Sequence, residues 1–123
     1  MSFYRETTVK AVRKARRCLG CGRMIAVGET ALDVAGYWDG DFWSGTFHHE
    51  CRAAEIALNR LYGPLRPDEW MQLGELEWDD WEWLLAEYPV VAARKGITAE
   101  RLQEVKDERA RIWNRRTPNG DPQ

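Results

Sequence analysis

The chain has 123 residues, with 18 Lys and Arg against 20 Asp and Glu, 44% hydrophobic and 31% charged residues. This globular mix excludes a fully disordered chain, the length accommodates one domain or at most two small ones, and a formal charge of -2 excludes a surface devoted as a whole to gripping nucleic acid. No apolar run is long enough to span a bilayer and MSFYRETTVKAVRKARR lacks the apolar core of a signal peptide, so the cytosol is the expected compartment, with reduced cysteines.

The near-neutral total hides segregation along the chain. Residues 1–23 hold seven basic residues and one acidic; residues 64–93 hold one basic and eight acidic, among four of the seven tryptophans; residues 94–123 hold eight basic and five acidic. Residues 30–38, TALDVAGYW, read as a strand. Asp39-Gly40 is a two-residue hairpin signal because both turn positions need positive φ, and 41–48, DFWSGTFH, is the return strand with Gly45 as a weak point. A helix is expected from Cys51 to Tyr62, with Ala54, Leu58, Leu61 and Tyr62 on one face and Gly63-Pro64 ending it. Pro67 followed by Asp68-Glu69 suggests the first turn of a short helix. Asp79 or Asp80 would cap a helix reaching Tyr88, with Trp81, Leu84, Leu85 and Tyr88 on one face and Pro89 closing it or sitting just beyond it. Thr98 is the expected N-cap of a last helix to about Arg116. Its apolar stripe is thin: Leu102, Val105, Ile112 and Trp113, interrupted by Arg109. The tail TPNGDPQ is expected to fray.

Three cysteines are an odd count, which excludes a closed disulfide framework. The cysteines and histidines instead fall as Cys18-x2-Cys21, a spacer of 26 residues, and His48-x2-Cys51. Zn²⁺ in a structural site takes four tetrahedral N and S ligands, and two short chelating pairs supply them with little strain. The glycine after Cys21 permits a sharp turn that aims backbone N–H groups at the sulfurs, and Cys51 would sit where a helix N-terminus favours a thiolate. His49 is the alternative ligand, but His49-x-Cys51 is a poorer chelating spacing around a helix start. Knuckle, hairpin and a ligand at a helix start is the order of a treble-clef finger. Buried structural cysteines beside surface histidines are the alternative reading.

With Ile25, Gly28 and Glu29 following the first pair as I-x-x-G-E, and a long hairpin before H-x2-C, residues 12–62 resemble zinc fingers of the poly(ADP-ribose) polymerase type. They are more distantly similar to the first half of LIM fingers. They also resemble small uncharacterised zinc-finger proteins of phages and prophages, in the WDGDF hairpin and the H-x2-C-x-A-A-E helix start. The resemblance implies a structural zinc. In the polymerase fingers it also implies contact with DNA ends, which no individual residue here can be assigned.

Four protein ligands leave no open position for activating water. A His-Asn-His nuclease would need a third histidine, a zinc deaminase a downstream P-C-x-x-C, and neither is present; nor is a Gly-rich phosphate loop or a Ser/His/Asp set. A non-enzyme is expected. The fold expectation is α+β: a zinc finger with hairpin and helix at 1–62, then an acidic, Trp-rich helical region with a basic last helix at 63–123. The favoured function is a non-catalytic adaptor or inhibitor, with Zn²⁺ as cofactor and a protein partner, a host or defence factor if the phage resemblance holds. That partner would be met through Trp83, the acidic segment with Asp79, Asp80 and Glu82, and the exposed hairpin, Trp83 lying off the apolar stripe of its helix. Trps that form a second core, with the acids as its solvated face, are the alternative. The alternative function is a DNA-binding accessory protein gripping phosphates with Lys10, Arg13, Lys14, Arg16 and Arg17 and stacking bases on Trp38, Phe42 or Trp43. Monomer and dimer are both open.

Overall fold

The computed structural model describes residues 3–38, 40–63 and 69–116. The turn residue Asp39, the short helix expected at Pro67-Asp68 and the tail from Thr117 lie outside the described residues, as does the side chain of Trp38. The architecture is mixed α and β. Strands β1 (Phe3–Val9), β2 (Arg16–Arg17), β3 (Met24–Ile25), β4 (Ala31–Trp38) and β5 (Asp41–Phe47) precede helices α1 (His49–Leu61), α2 (Trp81–Glu87), α3 (Pro89–Arg94) and α4 (Ala99–Arg116). The 3₁₀ turns Leu73–Glu75 and Trp78–Asp80 are among the described residues between α1 and α2. No helix of the described residues is long and apolar enough to cross a membrane.

The expected hairpin is β4–β5, paired from Leu32 with Phe47 to Trp38 with Asp41, and Gly40 takes the positive φ of 87° that its turn requires. The N-terminal stretch, assigned to no element from the sequence alone, supplies β1, which pairs antiparallel with β4 to give a sheet in the order β1-β4-β5. FYRETTV is polar at most positions, so its burial pattern carries no strand signal; it is held as an edge by backbone pairing. Strand pleating divides the sheet into two faces. Tyr4 and Glu6 of β1, Val34 of β4, and Trp43 and Phe47 of β5 share the inner face with α1; Arg5, Thr7, Asp33, Ala35, Phe42, Ser44 and Thr46 share the outer one. Gly36 lies on the inner face because the Trp43 indole crosses it: a Cβ there would meet the ring at 2.5 Å. Trp43 is thus tilted against Tyr4 at 6.3 Å between ring centroids, and points away from Phe42.

Helix α1 begins at His49, two residues before the expected start, and its buried face is rotated from the one the apolar spacing suggests. Ala54 and Leu58 are buried as expected, but Leu61 and Tyr62 are exposed. Their place is taken by three polar residues, Arg52, Glu55 and Asn59, all at least 95% buried. Arg52 is the hub. Its guanidinium donates to Glu55 Oε2 at 2.6 Å, to Glu6 Oε1 at 3.1 Å and to the Tyr4 hydroxyl at 2.6 Å, and it lies 5.3–5.5 Å from the ring centroids of Tyr4, Phe47 and Trp70. Glu55 also accepts the Leu73 backbone N–H at 2.8 Å and the Trp70 indole N–H at 3.1 Å. Asn59 pairs with Met71 as a strand residue would, accepting its N–H at 2.8 Å and donating to its carbonyl at 2.9 Å. These bonds fasten 70–73 to the helix. Charged groups can be buried here because every donor and acceptor is met: no buried side-chain N or O of the described residues lacks a hydrogen-bond partner.

Pro89 sits just beyond α2, one of its two expected places, and there it opens α3, the first helical position being the one where its missing N–H costs nothing. Asp79 and Asp80 sit in the 3₁₀ turn before α2 and make no side-chain cap; Asp80 accepts the Tyr62 hydroxyl at 2.7 Å. Thr98 does cap α4, its hydroxyl accepting the Arg101 N–H at 3.1 Å. One buried cluster joins Val12, Ile25, Val34, Phe47 and Ala54 to Leu73, Leu84, Val91, Ala92 and Ile97. The hydrophobic core therefore runs across residue 62 without a break.

Arg52→Ala leaves the Glu55 carboxylate buried without its cation, and removing one partner of such a pair costs about 3–5 kcal/mol. Urea unfolding monitored by Trp fluorescence is expected to show that loss, with Arg52→Met/Glu55→Gln recovering part of it.

Candidate metal centre

The first ligand pair sits on a tight turn between β2 and β3. Cys18 and Arg23 close it, the Cys18 N–H donating to the Arg23 carbonyl at 2.9 Å, and the Gly22 N–H returns to the Cys18 carbonyl at 2.9 Å with Gly22 at φ 80°. This geometry aims three backbone N–H groups at sulfur: Gly20 and His48 at Cys18 Sγ, each at 3.3 Å, and Arg23 at Cys21 Sγ, at 3.4 Å. The second pair spans the start of α1, His48 being the N-cap and Cys51 the third residue of the helix. The two pairs are brought together by β5, whose Thr46 accepts the Leu19 N–H at 3.0 Å.

Cys18, Cys21, His48 and Cys51 then converge, with one donor atom from each lying within 4.8 Å of all the others. The three thiols are not joined to one another. His48 Nδ1 is 3.4 Å from Cys21 Sγ and 3.8 Å from Cys51 Sγ. Tetrahedral Zn²⁺ with bonds of about 2.3 Å to sulfur and about 2.0–2.1 Å to nitrogen sets S···N edges of about 3.5 Å. The donor set and its spacing fit such an ion, and the Cys3His cluster can hold one. His49 is elsewhere: its Nε2 is 3.2 Å from the Thr30 hydroxyl.

Without metal the sulfurs titrate as a group. The Cys18 thiol is lowered to about 4, first because Cys51 donates its S–H to it and then through the backbone N–H groups, against the opposing effect of burial. Cys51 is raised for the same reason, being that donor, and further by burial and by the Cys18 charge. Burial raises Cys21. A bound cation would displace the remaining thiol protons, so loading must release protons and weaken as pH falls.

Sequence reasoning did not find the groups around the cluster. Glu29 Oε2 lies 3.8 Å from His48 Nε2, on the side away from the sulfurs, where an outer carboxylate orients a ligating imidazole. Arg94 at the end of α3 places Nη1 3.9 Å from Cys51 Sγ and 3.5 Å from Glu50 Oε2, while its carbonyl accepts Arg23 Nε at 2.6 Å. Lys95 is half-buried beside the three sulfurs; burial lowers its pKa and the sulfurs oppose that. Cations from residue 94 onward thus offset the negative charge of the thiolates. Glu29 stands in the I-x-x-G-E run and could have been suspected; Arg94 and Lys95 meet the cluster only through the docking of α3.

The other expected residues fall into two groups. Lys10, Arg13, Lys14 and Arg16 are exposed, as is Arg5, and none has an ion pair or side-chain hydrogen bond to another described residue. Arg17 is spent on the knuckle, donating to the Gly22 carbonyl at 2.6 Å. Phe42 is 63% exposed on the outer face, whereas Trp43 is folded over Gly36 on the inner one. Trp83 is not a free anchor: it is half-buried, packed against the core and 5.6 Å from the Tyr88 ring. Asp80 is engaged with Tyr62 and Glu82 lies 3.7 Å from Lys106, while Asp79 is exposed.

Comparison with protein-family models, with curated proteins and with solved structures finds no match for this chain.

The protein purified without chelators is expected to carry one zinc per chain by elemental analysis. Cys51→Ser and Cys18→Ser should lose it and lower the melting temperature, whereas His49→Ala should keep it. Zinc affinity measured against a competing chelator should fall as pH falls.

Proposed function

We propose that the chain is a non-catalytic binding module, built on a zinc-stabilised finger of treble-clef type, that engages the phosphate backbone of a nucleic acid. The zinc assignment is supported by the Cys3His donor set and its spacing, and the finger type by the order knuckle, hairpin, helix with ligands at both ends. With four protein donors the metal has no vacant position, so its role is structural, providing on the order of 10 kcal/mol of apparent stabilisation to a small unit. The resemblance to phage zinc-finger proteins and a cytosolic setting are consistent with such a module.

One observation carries the choice of partner. Four cations, Arg5, Arg13, Lys14 and Arg16, border hollows on the outer face of the sheet, and Lys10 is exposed in the same stretch of chain; none has an ion-pair partner among the described residues. Unpaired exposed cations on a rigid support are what a polyanion needs, and they make association salt-dependent. Of the groups on which the protein-partner reading rests, Trp83 and two of its neighbouring acids are engaged within the chain: Trp83 with Tyr88, Asp80 with Tyr62, Glu82 beside Lys106.

Zinc-loaded protein should bind labelled oligonucleotides, with log affinity falling linearly against log salt at a slope of about -3 for roughly four displaced counterions. Absence of binding even at low salt defeats the proposal. Trp83→Ala is expected to lower the melting temperature while leaving that binding unchanged.

A further inference from the structure

Helix α1 covers the inner face of the sheet; the outer face is open around Arg5, Thr7, Phe42 and Ser44 and closes at Thr46, which is buried. The outer face carries a trough of about 560 Å³ lined by Arg5, Thr7, Arg16, Asp33, Phe42 and Ser44, among others. A second hollow of about 380 Å³, bordered by Arg13 and Lys14, shares Arg16, Asp33 and Thr46 with the first, so the two form one continuous path. Strand register orders the groups along it. Phe42 stands opposite Tyr37 at the hairpin end; the next outward row is Arg5, Ala35 and Ser44; the next is Thr7, Asp33 and Thr46. Successive rows are two residues, about 7 Å, apart. The path therefore runs from an exposed aromatic ring to a cation, then to a carboxylate beside a hydroxyl, then to the remaining cations.

We propose that this path holds a short single-stranded stretch of nucleic acid, and that Asp33 reads a base bearing an exocyclic amino group. The inference rests on the function proposed above. Four cations against one carboxylate suit a phosphate backbone, and Phe42, 63% exposed, offers a stacking surface that only an unpaired base can use. Asp33 is the group that the charge argument alone does not explain. A carboxylate in the floor of a cationic trough repels phosphate, but it accepts N–H donors. Thr46 donates its hydroxyl to Asp33 Oδ1 at 3.0 Å, which fixes the carboxylate in the floor. Cytosine and adenine present amino donors to a carboxylate; thymine presents carbonyl oxygens on both sides of its single N–H.

Fluorescence anisotropy of zinc-loaded protein with unstructured oligo(dC), oligo(dA), oligo(dT) and a mixed duplex tests this. The single strands are expected to bind more tightly than the duplex, with oligo(dC) and oligo(dA) about fivefold or more above oligo(dT). Arg16→Ser should weaken all of them together. Asp33→Asn should erase the difference between oligo(dC) and oligo(dT) without weakening oligo(dT), at unchanged zinc content; Thr46→Val should reduce the same difference. Binding that ignores the base, a preference unchanged in Asp33→Asn, or tighter binding of duplex overturns this inference and leaves the nucleic-acid reading standing. No binding of any of the four at low salt overturns both.

Discussion

The convergence of three sulfurs and one imidazole is the constraint on which the rest of the structure depends. The knuckle between β2 and β3, the end of β5 and the start of α1 meet there, contributing donors to the same point. The apolar groups of this half are few, since a short sheet and one helix enclose little volume. Without a cation three thiols and an imidazole this close share protons: Cys51 keeps its proton and donates it to Cys18, so Cys18 is lowered and Cys51 raised. A divalent ion held there would take up the charge of the thiolates and tie the three segments to one point.

Two further junctions extend that rigidity into the C-terminal half. Arg94 and Lys95 bring positive charge to the cluster, and the Arg94 carbonyl holds Arg23 of the knuckle. On the other side of α1, Arg52, Glu55 and Asn59 satisfy one another, the sheet and residues 70–73. The two devices differ in kind. The first relies on a charge that a metal ion sets, and the second on a closed set of hydrogen bonds. Both act on the same helix, so α1 is clamped at its N-terminus by the ligands and along its length by the polar face.

Much of this was legible in the residues, and the rest was hidden for identifiable reasons. The ligand set followed from spacing because chelation is a local property of short pairs. The hairpin followed from Asp39-Gly40, and α4 from its Thr98 cap. Strand β1 was hidden because an edge strand with a polar sequence is specified by its neighbour β4. The face of α1 was misplaced because periodicity counts apolar residues, and here three polar residues are buried by mutual satisfaction. Trp83 fell off the apolar stripe of a seven-residue helix, yet Tyr88, at the junction with α3, packs against it. Sequence spacing cannot see a contact made after a helix has ended.

The two faces of the sheet show how one strand sequence serves both demands. Phe42 and Trp43 are adjacent, and pleating alone sends them to opposite sides. Trp43 fills the space left by Gly36 and borders the Arg52 hub, so its aromatic surface contributes to stability. Phe42, one residue earlier, has no such glycine beneath it and stays exposed at the end of a cationic path. The same alternation puts Glu6 inward, against Arg52, and Arg5 outward. The acid of that pair is consumed in holding the fold while its base remains available, which is how a chain of net charge -2 presents a positive face without an excess of basic residues. Register, fixed at one end by the turn at Gly40 and at the other by His48 in the Cys3His cluster, is therefore what separates the surface that stabilises from the surface that can bind.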